Sequence, residues 1–154
     1  MKRIILFIVL LFGITVFYSC KKDKRNASLI GTWEAHYGGN GSQVYADIFV
    51  FNADSTFTET RTLKDTVSGK ILGYNYYCTG KFRTSGEALT LTASSTKTSK
   101  DYGPAGNLTE VVFVTVNIMH YTLIFNSNNN MFYIQTPPCP INANCAPPLH
   151  FYRQ

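Results

Sequence analysis

The chain has 154 residues, of which 45% are hydrophobic and 14% aromatic, enough for one domain with a sizeable core. Its formal net charge is +5, which at first suggests an anionic partner such as nucleic acid. Residues 29–154 carry eight basic and eight acidic side chains, however, so the folded body is formally neutral. This balance argues against a surface that binds a phosphate backbone, and no nucleic-acid partner is expected.

The beginning of the chain has the layout of a secretory signal. Lys2 and Arg3 precede an apolar run of about fifteen residues. That run is shorter than the roughly 20 residues that a membrane-spanning helix requires. Phe17-Tyr18-Ser19-Cys20 then resembles the lipobox of bacterial lipoproteins. The resemblance implies that residues 1–19 are a signal peptide and that the Cys20 thiol carries a diacylglyceryl anchor.

Two other interpretations of the signal remain open. One is ordinary secretion with a free Cys20, and the other is a retained membrane anchor. In the lipoprotein interpretation, residues 20–28 form a basic tether between the lipid and the folded domain. Lys21 directly after the cysteine implies sorting to the outer membrane. The expected partner of this end is therefore the membrane itself, through the lipid.

The rest of the chain predicts an all-β domain over residues 29–154. Runs of β-branched and aromatic residues alternate with clusters of Gly, Asn, Asp and Ser, and no segment has sustained helical spacing. The turn sequences at 52–55, 85–86 and 126–130 are typical of hairpins. The predicted strands are 30–37, 44–52, 56–63, 72–84, 88–93, 110–116, 120–126, 131–136 and 149–153.

Strand alternation predicts which side chains face inward. In the fourth strand Tyr74, Tyr76, Cys78, Gly80 and Phe82 share one face, and that face is expected to lie inside. In the next strand, Leu89 and Leu91 have the same inward position. Eight or nine strands in a meander predict an antiparallel up-and-down barrel, with a two-sheet sandwich as the alternative.

Two segments outside these strands draw attention. Residues 94–108 are predicted to form the longest polar connection, either a mobile rim or a surface loop. Near the end of the chain, Cys139 and Cys145 lie in a segment rich in proline and asparagine that favours a small closed loop. We predict a Cys139–Cys145 disulfide, which leaves Cys78 as a buried free thiol.

Three motifs in order resemble the lipocalin-like domains of small bacterial lipoproteins. They are Gly31-Thr32-Trp33, the hairpin Phe51-Asn52-Ala53-Asp54-Ser55-Thr56-Phe57, and Tyr76-Tyr77-Cys78-Thr79-Gly80-Lys81-Phe82 with the following Leu89 and Leu91. The resemblance covers residues 29–91. It implies that Trp33 plugs one end of the barrel and that a basic residue of the last strand, Arg153, stacks on it. The chain lacks a Thr-Asp-Tyr element, so the ligands of the eukaryotic lipid carriers are not transferred to it.

The leading functional hypothesis is a small apolar ligand bound inside the barrel. The expected wall consists of inward-facing aromatics: Trp33, Phe57, Tyr74, Tyr76 and Phe82. The same side chains could instead fill a small barrel and leave no cavity. The alternative function is a non-catalytic interaction module that binds a protein or glycan through its loops, including Tyr102 and the Cys139–Cys145 loop.

Nothing in the sequence argues for catalysis or for a cofactor. His36, His120 and His150 are the only histidines, and no two have a metal-binding spacing. No Gly-x-Ser-x-Gly motif is present. We therefore predict a protein that is not an enzyme and has no metal site, no catalytic residue and no cofactor.

Overall fold

The computed structural model describes residues 28–113, 115–135 and 147–154, which form an all-β domain. Nine antiparallel strands follow one another, with a short 3-10 helix, Ala105–Asn107, after the fifth. The strands are β1 Gly31–Asn40, β2 Gln43–Phe51, β3 Thr56–Asp65, β4 Ile71–Ser85, β5 Ala88–Gly103, β6 Thr109–Glu110, β7 Ile118–Phe125, β8 Met131–Gln135 and β9 His150–Arg153.

The sheet closes on itself. The strands pair in the order β4-β3-β2-β1-β9-β8-β7-β5, and β4 also pairs with β5. These eight strands form one barrel-like ring, while β6 adds a two-residue pairing to β5. The predicted barrel-like, all-β architecture is confirmed, and a single sheet takes the place of the two stacked sheets of the alternative.

The hairpin turns explain why neighbouring strands pair in this register. Between β2 and β3 the Asp54 carboxylate accepts hydrogen bonds from the backbone N–H and the hydroxyl of Thr56, and Ser55 has a φ of 67°. This turn places Phe51 opposite Phe57. Gly86, with a φ of 58°, makes the turn between β4 and β5. The turns predicted at these positions are therefore confirmed.

One end of the ring is filled with apolar side chains, and we call it the apolar end. Trp33, Phe51, Phe57, Phe132 and Phe151 are essentially fully buried there. The inward positions predicted for Cys78, Phe82, Leu89 and Leu91 are confirmed, because all four side chains are buried in the same cluster. The Trp33 indole N–H donates to the carbonyl oxygen of Leu29 at 2.6 Å, so the chain just before β1 covers this end.

The predicted contact between the last strand and the tryptophan is present. The Arg153 guanidinium lies 4.4 Å from the centre of the Trp33 ring. It also donates to the backbone carbonyl oxygens of Ile30, at 3.0 Å, and Ser28. Arg153 therefore makes a cation–π contact with the Trp33 indole and two hydrogen bonds with the segment before β1. It holds that segment against the indole.

The prediction of a polar loop at residues 94–108 is wrong for most of its length. β5 continues to Gly103, and its second half pairs with β4, with Thr98 opposite Tyr76. The inward positions here are occupied by threonine, and Thr96 is buried. Because threonine is polar, this stretch lacks the hydrophobic signal of a strand, although its β-branched side chain suits one.

The strand predicted at 110–116 is also wrong. Only Thr109–Glu110 pair with β5, and β7 begins at Ile118. The Val111 N–H donates to the Thr96 carbonyl oxygen, and the Ala93 N–H donates to that of Asn117. Residues 111–113 and 115–117 therefore lie outside the strands, next to the β4–β5 register shift. Residues with a high strand propensity form a strand only where a neighbouring strand can pair with them, and this stretch has no such neighbour among the described residues.

Several predictions concern residues outside the described part of the chain. They include the signal peptide at 1–19, the lipid-carrying Cys20 and nearly all of the tether. The Cys139–Cys145 disulfide lies outside it as well. Cys78 is described: its thiol is buried, not in a disulfide, and accepts a hydrogen bond from Thr96 at 3.4 Å. That matches the buried free thiol predicted for it.

Candidate functional site

The half of the ring away from the apolar end has a charged interior. Phe49, Phe51 and Phe57 face inward, so alternation brings Asp47 of β2 and Glu59 and Arg61 of β3 to the same face. Asp47 lies directly opposite Arg61 in the hairpin register. The exposed fraction is 6% for Asp47 and 2% for Glu59. Two buried carboxylates therefore share one guanidinium.

Arg61 interacts unequally with the two acids. Its Nη2 lies 3.0 Å from Glu59 Oε1, whereas its Nε lies 3.5 Å from Asp47 Oδ2. The guanidinium also lies 4.6 Å from the centre of the Tyr76 ring. Glu59 thus accepts a hydrogen bond from Arg61, whereas Asp47 has only the longer ion-pair contact.

Asp47 is the most perturbed acid in this cluster. Burial, with the neighbouring Glu59 charge, raises the pKa of Asp47 to about 7, although Arg61 opposes the shift. Burial also raises the pKa of Glu59, again against the effect of Arg61. The second carboxylate oxygen of Asp47, Oδ1, is buried and has no hydrogen-bond partner in the described part of the protein. A buried acceptor without a donor is unfavourable, because it has lost its hydrogen bonds to water and has gained none from the protein.

A group of tyrosines lies next to Asp47. The Tyr37 and Tyr45 rings are 5.9 Å apart, and Tyr45 stacks on Tyr102 at 5.1 Å. Burial, with the neighbouring Tyr102 and Asp47, raises the pKa of Tyr37, so its hydroxyl stays neutral at physiological pH. Tyr102 is half-buried in β5, so the prediction that it lies exposed in a loop is wrong.

A cleft of about 980 Å³ leads from the surface to this cluster. It lies where β1 and β9 separate: Trp33 pairs with Arg153 and Glu34 with Tyr152, and no further pairs follow. Asp47 is opposite Ala35, the first residue of β1 past the last pair, and the small alanine leaves room beside it. The lining residues come from β1, from the interior and from the last eight residues: Glu34, His36, Tyr37, Gly38, Asp47, Arg61, Pro147, Pro148, Leu149, His150, Tyr152 and Gln154.

A second, separate ion cluster forms the outer rim of the cleft. The Glu34 carboxylate lies 2.5 Å from Lys64 Nζ and 2.5 Å from His36 Nε2. Burial alone would raise the pKa of Glu34, but the hydrogen bonds from Lys64 and His36 lower it overall. This carboxylate is therefore ionised and has two close partners, whereas Asp47 has only the 3.5 Å contact with Arg61.

The residues predicted to form the ligand wall are not brought together at the cleft. Trp33, Phe57 and Phe82 are packed in the core at the apolar end. Tyr76 lies beneath Arg61, and Tyr74 is half-buried opposite Gly103. None of the five lines the cleft.

The sequence prediction missed Asp47, Glu59 and Arg61. A signal for them was present: residues equally distant from the hairpin turn at Asp54 face each other, which places Asp47 opposite Arg61. Alternation from Phe49 and Phe57 then places both inside. Charged residues at inward strand positions are rare enough to mark a candidate site.

Other kinds of site are not apparent in residues 28–113, 115–135 and 147–154. No group of three or more His, Cys, Asp or Glu side chains there is arranged to hold a metal ion. Within the same ranges, no helix has the length and apolarity to cross a membrane. Comparison with protein-family models, curated proteins and solved structures finds no match for this chain.

Proposed function

We propose that this protein is a lipid-anchored envelope lipoprotein with a lipocalin-like domain, and that the domain binds a small, largely apolar ligand. The observation that carries the proposal is the cleft between β1 and β9. Its volume of about 980 Å³ is at the upper end of the roughly 300–1,000 Å³ that is usual for small-molecule sites. Its inner end reaches a strongly perturbed acid, and perturbed titratable groups cluster at functional sites.

The proposed site is in the charged half of the ring rather than among the aromatics of the apolar end. The apolar end is packed: Phe132 stacks on Phe151 at 5.0 Å, and Trp33 contacts Phe132 at 4.9 Å. The cleft combines apolar surfaces of Tyr37 and Leu149 with a few polar groups, which is the usual composition of a ligand site. Removing the ligand's apolar surface from water would supply about 25 cal/mol per Å².

Binding is tested with 1-naphthalenemethanol, a neutral aromatic alcohol, by calorimetric titration of the full lipoprotein in phosphatidylcholine nanodiscs. Empty nanodiscs give the background. We expect saturable binding at one site per chain. Tyr37→Ala removes an aromatic wall of the cleft and should weaken binding about tenfold. Tyr77→Ala, a half-buried tyrosine on the outer face of β4, serves as the matched control and should bind normally. Equal effects of both changes, or no saturable binding, would refute the proposal.

The lipid anchor is a separate part of the proposal and is supported by the lipobox-like sequence that ends at Cys20. Metabolic labelling with an alkyne-bearing fatty acid tests it. Cys20→Ala should abolish the label and leave a larger, uncleaved precursor. Cys78→Ala should retain the label and the mature size, because Cys78 is buried in the core. Labelling that survives Cys20→Ala would contradict the anchor.

An interaction module remains the second candidate, and one observation favours it. The segment that leaves the sheet between β6 and β7 exposes Val112 and Val116, which are 87% and 66% accessible. Exposed apolar side chains in one short segment are typical of a protein contact. Under this alternative the cleft has no ligand, and the titration above gives no saturable signal.

A further inference from the structure

The two oxygens of the Asp47 carboxylate differ in their contacts. Arg61 reaches only Oδ2, and Oδ1 is the buried atom without a partner among the described residues. Only 8% of the side chain is accessible, yet Asp47 is part of the lining of the cleft. The cleft is therefore lined by a carboxylate that lacks one of its hydrogen bonds, and a donor that enters the cleft would meet this group.

The charges around Asp47 decide which kind of donor fits. The Arg61 cation of β3 contacts two acids, Asp47 of β2 and Glu59 of β3. When both acids are ionised, the three side chains together carry one net negative charge. Burial raises the pKa of three neighbouring tyrosines, so their hydroxyls are neutral: Tyr37 of β1 and Tyr121 of β7 interact with Asp47, and Tyr76 of β4 interacts with Glu59. His150 of β9 also lines the cleft. At the rim, Lys64 and His36 both contact Glu34. An entering cation would therefore balance the interior charge.

The surroundings also indicate what the cation is attached to. Tyr37, Leu149 and prolines 147 and 148 supply apolar surface to the cleft that Asp47 lines. A small inorganic ion would leave these surfaces in contact with water. An anionic ligand would meet Asp47 and Glu59, and the neighbouring Arg61 guanidinium already contacts both of these acids.

We propose that the cleft binds a small organic cation, a primary amine on an apolar or aromatic body, whose ammonium group pairs with the Asp47 carboxylate. The inference rests on the function proposed above and specifies its ligand class. The ammonium donates to this carboxylate, and the apolar body packs against Tyr37 and Leu149. A charge-assisted hydrogen bond is about twice as strong as a neutral one.

The proton is the competitor for this site. Because burial raises the pKa of Asp47 to about 7, the acid without ligand holds a proton over much of the neutral range. An ammonium ion requires the carboxylate, so binding below about pH 7 releases that proton. Affinity for the amine should therefore rise with pH up to about 7 and then level off, whereas affinity for a neutral ligand should not change.

Three ligands with the same aromatic body separate charge from shape: 1-naphthylmethylamine, 1-naphthalenemethanol and 1-naphthoic acid. Each is titrated into the full lipoprotein in phosphatidylcholine nanodiscs at pH 8. We expect the amine to bind at least about tenfold tighter than the alcohol, and the acid to bind most weakly. Asp47→Asn, which keeps the shape and removes the charge, should reduce the amine to the affinity of the alcohol. Asp54→Asn, in the hairpin turn at the apolar end, should bind all three ligands as the native chain does.

The outcomes distinguish the inference from the function on which it rests. If the alcohol binds and the amine binds no better, the inference is overturned and the ligand-binding function stands. If the amine is preferred but Asp47→Asn does not change this, the cation lies elsewhere and the inference is equally overturned. If none of the three binds, the proposed function itself fails. Should Asp47→Asn not fold, proton release by the native chain decides: at pH 6 the heat of amine binding must depend on the buffer, and a heat independent of the buffer would overturn the inference.

Discussion

Gly80 lies at an inward-facing position of β4 where the neighbouring strand leaves no room for a side chain. A Cβ atom there would be 2.1 Å from the carbonyl oxygen of Thr92 and 2.8 Å from the Phe57 ring. The close approach arises at the register shift between Thr79 and Gly80, where β5 presents an extra residue. Alternation predicts that Gly80 faces inward. It does not predict the shift, because the shift depends on how two strands pair.

Gly80→Ala should therefore destabilise the fold by about 1–3 kcal/mol, since the backbone atoms it meets have little freedom to move. Gly106→Ala is the matched control, because a Cβ at Gly106 has nothing within 4 Å. Urea denaturation followed by the fluorescence of Trp33, the single tryptophan, measures both changes. Equal midpoints for the two variants would show that β4 and β5 can move apart at this position.

At the scale of strands, β2 and β3 carry both the core and the candidate site. Their ends near the turn supply Phe51 and Phe57, and their centres supply Asp47 and Arg61. The sequence predicts this hairpin and its turn well, because the determinants are local. It fails for the second half of β5, since threonine replaces the apolar residues that mark an inward face. It also fails at 110–116, where β-branched residues are abundant but no partner strand is available.

The buried acid of β2 should make stability depend on pH. The folded state raises the pKa of Asp47 to about 7 from 3.8, so between these values it holds a proton that the unfolded chain releases. Its contribution to stability is therefore fully present below about pH 4 and is lost as the pH rises to about 7. Glu34 has a lowered pKa and acts in the opposite direction, but only at lower pH.

We expect the native chain to lose on the order of 2 kcal/mol more unfolding free energy between pH 5 and pH 8 than Asp47→Asn does. Urea denaturation at the two pH values measures this difference. Asp54→Asn is the matched control, because Asp54 is exposed and its pKa is lowered by hydrogen bonds from Thr56. The control should follow the native chain. Parallel pH profiles for the native chain and Asp47→Asn would contradict the assignment of a raised pKa.

At the scale of the whole molecule, the ring has an apolar half and a charged half. The inward residues of the apolar half are predictable from sequence because they are large and hydrophobic. The contact of Arg153 with Trp33 is expected only from the resemblance to lipocalin-like domains. The cleft is not predictable. Its two walls, β1 and the residues from Pro147 onward, are separated by more than a hundred residues. It exists because β9 is short and pairs with only two residues of β1, which depends on how the ring closes.

Photolabelling shows whether a ligand occupies the cleft between β1 and β9. A diazirine-bearing analogue of 1-naphthalenemethanol is irradiated with the full lipoprotein, and mass spectrometry identifies the labelled residues. We expect label on Tyr37, Leu149 and Tyr152, and we expect excess 1-naphthalenemethanol to remove it. Label that is spread over the surface, that centres on Val112 and Val116, or that the competitor does not remove would contradict the proposed ligand site.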